Sequence, residues 1–242
     1  MAKYFPLALI VTVLTGCAQK STQPEVDPQL MQQFQETFQA ALQRGLTANI
    51  EEEQVGAVSL RIVTNRQGQA LSCKARPAQL KVPPEVFPSN PREFAGFVEA
   101  QCLRAIYPSA PDALYDDQGQ LEVVAPVTLV FSKQEAARWK LRSAQRRFFR
   151  EHLLEGQGID SVGIAVIRYL ADAQGHAMGC LVDLGANTTR PADFKLDGAL
   201  QSRLNSACMQ LDLRQVPGFA PDRQQPVEGV VALEYAPWTV ER

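Results

Sequence analysis

The chain has 242 residues, of which 24 are lysine or arginine and 26 are aspartate or glutamate, for a formal net charge of −2. Proteins that bind nucleic acid carry a clear excess of basic residues, so this balance argues against such a partner. Hydrophobic residues make up 45% of the chain and charged residues 21%, a globular composition that excludes a disordered or fibrous protein.

The first 29 residues are predicted to be an export signal followed by a tether. An apolar stretch over residues 4–15 has the length of a signal-peptide core and is too short to span a bilayer. Residues 14–17, Leu-Thr-Gly-Cys, resemble the lipobox of bacterial lipoproteins, whose cysteine is acylated. We therefore predict a signal peptide over 1–16, lipidation at Cys17 and a polar tether over 17–29. An ordinary signal peptide with a chance cysteine is the alternative.

The residue after the cysteine bears on the choice of membrane. Lipoproteins that stay in the inner membrane usually carry aspartate there, whereas this chain has Ala18. The resemblance thus implies an outer-membrane lipoprotein that faces the periplasm. Several acyl chains on one residue would hold the protein on the membrane stably.

The first folded module is predicted over residues 30–132, in the order helix, strand, strand, helix, strand. Apolar residues four apart indicate the opening helix. Alternating apolar residues on both sides of Asn65–Gly68 indicate a β-hairpin over 56–76, whose type I turn closes on a glycine with positive φ. A helix that begins at Pro91 and a strand over 121–131 complete the module.

The second module, predicted over residues 133–242, repeats the first. Residues 163–183 align without a gap on 56–76, with six of 21 positions identical and an offset of 107 residues. The fold class is therefore predicted to be α+β, with two tandem modules that each form a three-stranded antiparallel sheet packed by helices. Positions predicted by their spacing to face the two cores include Leu30, Leu71, Leu141, His152, Met178 and Leu196.

Apart from Cys17, four cysteines remain, and they allow three disulfide connectivities. Cys73 and Cys102 are 29 residues apart on a predicted strand and helix, and Cys180 and Cys208 are 28 apart on the corresponding elements. Because these positions face the predicted cores, we predict a strand-to-helix disulfide within each module, which an oxidising periplasm favours. Four buried free thiols are the alternative.

The order of elements resembles the C-terminal domain of TonB and the related domain of TolA. The resemblance rests on residues 56–76, the helix through Cys102, the Tyr-Pro pair at 107–108 and the closing strand over 126–131; the second copy lacks the Tyr-Pro pair. It implies a sheet that binds partners by adding their extended segment to its edge. Unlike for the energy transducers of that family, the sequence predicts no N-terminal transmembrane helix or long spacer, so we expect a periplasmic binding module.

Prolines in the closing strands predict where that edge lies. Proline cannot donate to a strand ladder and is therefore confined to an edge or to a strand's start. Pro126 and Pro226 are predicted to occupy equivalent places in the two closing strands. Such prolines either leave an edge where a partner pairs or blunt the edge against association. The candidate partner-binding residues are Val124, Pro126, Thr128, Val130, Pro226, Glu228 and Val230.

A basic segment opens the second module. Residues 133–150 contain seven lysines and arginines and a single acid. They form either a solvated helix face or a contact for anionic headgroups, glycan or an acidic partner. The candidate residues are Arg138, Arg142, Arg146, Arg147 and Arg150.

The sequence contains no G-x-S-x-G, H-E-x-x-H or P-loop motif, and it has two histidines in all. We expect no catalytic activity, no cofactor and no metal. The predicted function is a non-catalytic adaptor that binds proteins of the cell envelope. A structural or accessory subunit of an envelope assembly is the alternative, and an enzyme is the least favoured class.

Overall fold

The helices and strands follow the order α-β-β-α-β twice, which confirms the α+β class and the two tandem modules. The computed structural model describes residues 27–50, 54–80, 88–221 and 225–240. The predicted signal peptide, Cys17 and most of the predicted tether lie outside them. The first module comprises α1 (Pro28–Ala48), β1 (Gly56–Asn65), β2 (Ala70–Pro77), α2 (Pro91–Arg104) and β3 (Gln120–Leu129). The second comprises α3 (Lys133–Phe149), β4 (Gly163–Ala171), β5 (Ala177–Ala186), α4 (Gly198–Cys208), β6 (Val227–Tyr235) and the short α5 (Pro237–Val240).

The four longer helices begin at residues whose side chains cap them. Asp27, Asn90 and Asp197 each accept a hydrogen bond from a backbone N–H of the first turn, at 2.8 to 2.9 Å. At the start of α3, Ser132 and Glu135 form a reciprocal capping box. These caps satisfy N–H groups that have no partner inside the helix. They explain why the predicted helix does begin at Pro91 and why α3 begins soon after β3 ends.

Each module forms one three-stranded antiparallel sheet whose middle strand is the first along the chain, in the orders β2-β1-β3 and β5-β4-β6. The pairing of β1 with β3 runs from Gly56–Leu129 to Asn65–Gln120, and that of β4 with β6 from Gly163–Tyr235 to Ala171–Val227. The closing strands β3 and β6 therefore lie at sheet edges, where the prolines led us to expect them.

The two hairpin turns have the predicted conformation. Gly68 and Gly175 have φ of 73° and 80°, and their N–H groups donate to Asn65 and Asp172 at 3.0 Å. The chain that follows the next helix hydrogen-bonds to each turn. Tyr107 N–H donates to the Gly68 carbonyl at 3.0 Å, and Leu213 N–H donates to the Gly175 carbonyl at 2.9 Å. A Cβ on Gly68 would lie 2.1 Å from the Tyr107 carbonyl oxygen, so close approach as well as φ requires glycine there.

A β-bulge at the same place in both hairpins corrects the predicted core. The register shifts between Val63 and Thr64 in one module and between Leu170 and Ala171 in the other. The extra residues are Leu71 and Met178, which were predicted to face inward. The bulge turns them out, and their exposed fractions are 47% and 58%.

Three further predicted core positions are also exposed. Leu30 lies in the first turn of α1, Leu141 faces outward from α3, and Leu196 precedes the start of α4. Helical spacing was correct for their neighbours, but these residues lie at helix ends or at the border of the buried face. His152 is likewise exposed, and its ring packs on Phe148 at 4.3 Å between centroids.

The helices pack on one face of each sheet and form two separate cores. In the first, α1 and α2 cover β1, and the ring of Phe38 stacks on Tyr107 at 4.6 Å between centroids. In the second, α3 and α4 cover β4. The gap left by Gly229 in β6 is filled by the ring of Tyr169, which a Cβ at that position would approach to 2.3 Å.

Both predicted disulfides are present. Cys73 in β2 is bonded to Cys102 in α2, with Cα atoms 6.2 Å apart, and Cys180 in β5 is bonded to Cys208 in α4, with Cα atoms 5.8 Å apart. All but Cys180 are buried, and it packs partly buried against the second core. Closing loops of this size contributes about 3–4 kcal/mol per bond on the chain-entropy model.

The two modules contact each other through polar side chains and through an apolar cluster of Ile106, Val162 and Ala236. Ser143 of α3 is buried, accepts a hydrogen bond from Ile50 N–H at 3.0 Å and donates to the Thr47 carbonyl at 3.4 Å. On the other side of the contact, Arg190 of the second module is 8% exposed. It donates to Asp193 and, at 3.3 Å, to the carbonyl of Arg66 in the first hairpin turn.

Replacing this buried arginine tests how much the contact stabilises the protein. Arg190→Met should lower the free energy of unfolding by about 2–3 kcal/mol, because Asp193 and the Arg66 carbonyl lose a charged donor. Arg168→Met is the matched control, since Arg168 pairs with Asp183 on an exposed sheet face and should cost less than about 1 kcal/mol. Urea unfolding followed by circular dichroism measures both. Equal losses would show that Arg190 is no more than a surface charge.

Candidate functional site

The edge of the first sheet formed by β3 carries three predicted partner-binding residues in strand positions. Val124, Pro126 and Thr128 alternate along β3 and are all exposed. Val124 leaves 57% of its surface exposed. Val130 is exposed too, but it follows the end of the strand at Leu129. The candidate edge is therefore the outer side of β3 and the residue after it.

The backbone of β3 shows which amides face this edge. The ladder with β1 passes through Pro126 without a shift in register, which requires the proline nitrogen to face away from β1. Gln120 lies an even number of residues from Pro126, so its backbone groups point to the same side of the strand. Its N–H donates to the Asp116 carboxylate and its C=O accepts from the Asp116 N–H, at 2.8 Å each. Backbone groups two residues apart in a strand point the same way. We infer that the N–H groups of Val124 and Thr128 face the open edge.

The opposite edge of each sheet is capped by a helix side chain. Glu99 of α2 accepts the N–H of Ala75 in β2 at 2.8 Å, and Asn205 of α4 accepts the N–H of Val182 in β5 at 2.6 Å. The two strand residues are equivalent under the 107-residue offset of the repeat. Together with the disulfides, these bonds hold α2 and α4 beside β2 and β5. Capping of this kind protects a strand edge from further pairing.

The prediction that Pro126 and Pro226 are equivalent is wrong. Pro126 lies opposite Ser59, and the corresponding residue of the second module is Ala232, opposite Val166. Pro226 instead precedes the first residue of β6. The prediction matched the two closing strands by their prolines. In the structure, the register of each closing strand is determined by its pairing with the middle strand.

The edge of β6 is partly covered. Glu228 and Val230 are exposed on it, as predicted. Near the end of the strand, however, the guanidinium of Arg150 donates to the carbonyl of Glu234 at 3.4 Å, and Arg44 pairs with the Glu234 carboxylate at 3.1 Å. The contact between the modules thus occupies one end of β6. On the outer edge of β3, within the described residues, the bonds from backbone groups to another part of the chain are those of Gln120 to Asp116.

The predicted basic residues separate into two groups. Arg138 and Arg142 are exposed, and the Arg142 guanidinium lies 5.8 Å from the centre of the Trp139 ring. Arg146 and Arg150 instead line a cavity of about 290 Å³ between the modules. Arg147 lines an adjoining cavity of about 460 Å³.

Two more arginines, from the first module, line the smaller cavity. Arg44 comes from α1 and Arg104 from the end of α2. Sequence reasoning missed both, because neither belongs to the basic segment and only the contact between the modules brings them to it. Burial lowers the pKa of Arg150, and the positive charge of Arg104 lowers it further, while Glu155 and Glu234 oppose the shift.

The histidines and acidic loop residues have local roles. His152 Nδ1 lies 2.8 Å from the Phe148 carbonyl, and His176 lies 3.1 Å from Asp172 within the second hairpin turn. Across the described residues, no group of three or more histidine, cysteine, aspartate or glutamate side chains is placed to hold a metal ion. None of the helices in the same ranges is long and apolar enough to cross a membrane.

Comparisons of the chain with family models, with curated proteins and with solved structures find no match. The resemblance to the TonB and TolA domains therefore rests on the sequence pattern and remains a prediction. The three-stranded antiparallel sheet that it implies is found in both modules.

The inferred direction of the β3 amides predicts how prolines act on this strand. Thr128→Pro should lower the free energy of unfolding by less than about 1 kcal/mol, because it removes an N–H that faces the open edge. Leu129→Pro should cost about 3 kcal/mol or more, because it removes a ladder hydrogen bond and a side chain that packs in the core. Thermal and urea unfolding compare the two. If both variants lose the same stability, the Thr128 amide pairs with β1 and the edge is not open.

Proposed function

We propose that this protein is a lipid-anchored adaptor of the cell envelope that binds an extended segment of a periplasmic protein along the open edge of β3. The observation that carries the proposal is the difference between the two edges of the first sheet. Glu99 and the disulfide close the edge of β2, whereas the outer N–H groups of Val124 and Thr128 in β3 have no partner among the described residues.

Strand addition suits the chemistry of this edge. Unpaired N–H and C=O groups in a row supply the hydrogen bonds, and exposed side chains that alternate along the strand supply selectivity. Val124 offers an apolar contact on the outer face. Arg61, its neighbour in β1, pairs with Glu122 at 2.5 Å and places charge beside it. A partner segment with alternating apolar and polar residues would match this surface.

The predicted anchor would keep the edge near the membrane. Ten residues lie between Cys17 and the first residue of α1, so the first module can stand at most about 40 Å from the lipid. Ala18 supports assignment to the outer membrane, with the modules in the periplasm. There, oxidation of the four remaining cysteines is expected.

A structural subunit is the second candidate function. It is favoured by the contact between the modules, in which Arg190 and Ser143 are buried. In that case the two modules would serve each other and recruit nothing. The distinguishing measurement is whether β3 touches a foreign protein in the cell.

Crosslinking in cells tests the adaptor. A photo-crosslinking amino acid at Val124 should give a discrete adduct with a foreign protein. The same amino acid at Leu71, which is similarly exposed on the capped strand β2, should give none. Thr128→Pro should remove the Val124 adduct because the partner loses a backbone donor, whereas Thr128→Val should keep it. Absence of an adduct, or equal adducts from both positions, would favour the structural subunit.

Fractionation tests the anchor. Cys17→Ser should leave the protein out of the outer membrane, either soluble or as the unprocessed precursor, because the acylated residue is lost. Ala18→Asp is the matched control, since it keeps the acyl chains and should move the protein to the inner membrane. If the Cys17→Ser protein keeps the size and membrane fraction of the native one, the lipobox assignment is wrong.

A further inference from the structure

The cavity of about 290 Å³ between the modules has a charged wall and an apolar wall. Four arginines, Arg44, Arg104, Arg146 and Arg150, make up the basic part, and Glu155 and Glu234 are the acidic residues that line it. The lining therefore carries a formal charge of +2. Both modules contribute to it.

The arginines differ in how they are paired. Arg44 uses its guanidinium on Glu234 and Thr189. Within the described ranges, the guanidinium groups of Arg104 and Arg146 form no hydrogen bond or ion pair, and that of Arg150 donates only to a backbone carbonyl, at 3.4 Å. Three guanidinium groups thus converge on the cavity with most of their donors unused.

Such a cluster is unfavourable unless something neutralises it. Burial lowers the pKa of Arg146 and of Arg150, and the charge of another arginine lowers each further, while Glu234 opposes both shifts. Arginine does not lose its proton in proteins, so the charge stays and is unfavourable where the two acidic residues do not balance it. An anion that enters removes this penalty and gains charge-assisted hydrogen bonds.

We propose that this cavity binds a phosphate monoester group. A phosphate monoester carries a charge of about −1.5 to −2 near neutral pH, which matches the +2 of the lining, whereas a single carboxylate does not. Planar guanidinium groups bind phosphate oxygens in pairs. The inference goes beyond strand addition and uses none of the residues of the β3 edge.

The apolar wall indicates that the phosphate carries a small apolar body. Trp139, Ile106, Ile164 and Ala232 line the cavity beside the arginines. A cavity of this size lies at the lower end of the range for small-molecule sites. The phosphate can come from a soluble monoester or from a lipid headgroup, and the same chemistry recognises either.

Calorimetry on the full chain in non-ionic detergent tests the proposal with defined probes. Phenyl phosphate represents a soluble monoester, and dihexanoyl phosphatidic acid represents a headgroup; dihexanoyl phosphatidylcholine is the control without a monoester. We expect the first two to bind and the third not to bind. Tighter binding of phosphatidic acid would identify a lipid source, and tighter binding of phenyl phosphate a soluble one.

Variants test whether the phosphate binds in this cavity. Arg104→Gln should weaken binding of the preferred probe at least tenfold and should fold normally, because Arg104 is exposed and unpaired within the described residues. Arg146→Gln should act in the same way. Arg138→Gln, which removes an equal charge from the exposed part of α3, should change the affinity less than twofold, and Thr128→Pro should leave it unchanged.

Two results would overturn the proposal. One is that neither monoester binds the native chain. The other is that Arg138→Gln weakens binding as much as Arg104→Gln does, which would mean attraction to a diffuse basic surface. Because Thr128→Pro separates the cavity from the edge, failure of this site leaves the adaptor proposal standing, and the reverse also holds.

Discussion

A sheet of three strands has two edges, and this limit governs how each module is built. The first strand of the module lies in the middle and is hydrogen-bonded on both sides, so its neighbours each present a row of backbone groups. One helix can lie along only one of these edges. In both modules that helix is the one after the hairpin, and it caps the hairpin's second strand through Glu99 or Asn205. The closing strand is left as the edge that no helix side chain caps in the described residues, and the proposed function depends on this edge in the first module.

The contact between the modules makes the two copies unequal. At the end of β6, Arg150 and Arg44 reach Glu234 and occupy the place that stays open in β3. The same contact gathers arginines from three helices around one cavity. The first module thus has an open closing strand, whereas the closing strand of the second is partly used to hold the two modules together.

Much of this architecture follows from the sequence, because a pattern found in one copy of the repeat can be compared with the same positions of the other copy. The cysteine spacing, the hairpin turns and the helix at Pro91 appear twice or follow local rules, and they were predictable. Leu71 and Met178 were misplaced because a bulge changes strand parity without a clear signal in composition. Pro226 was misaligned because register is set by pairing with a distant strand. Arg104 was missed because its neighbours come from the other module.

The disulfides have a consequence for the time before the protein is oxidised. With Cys73 and Cys102 reduced, α2 is held beside β2 by apolar packing, by the bond from Ala75 to Glu99 and by the bond from Tyr107 to the hairpin turn. A helix that detaches would leave β2 as open as β3. If the first module binds by strand addition, as proposed, the number of strands that it can accept, its valence, would then rise from one to two and allow chains to link end to end. In the proposed mechanism, oxidation of this pair therefore keeps the first module from accepting a strand on β2.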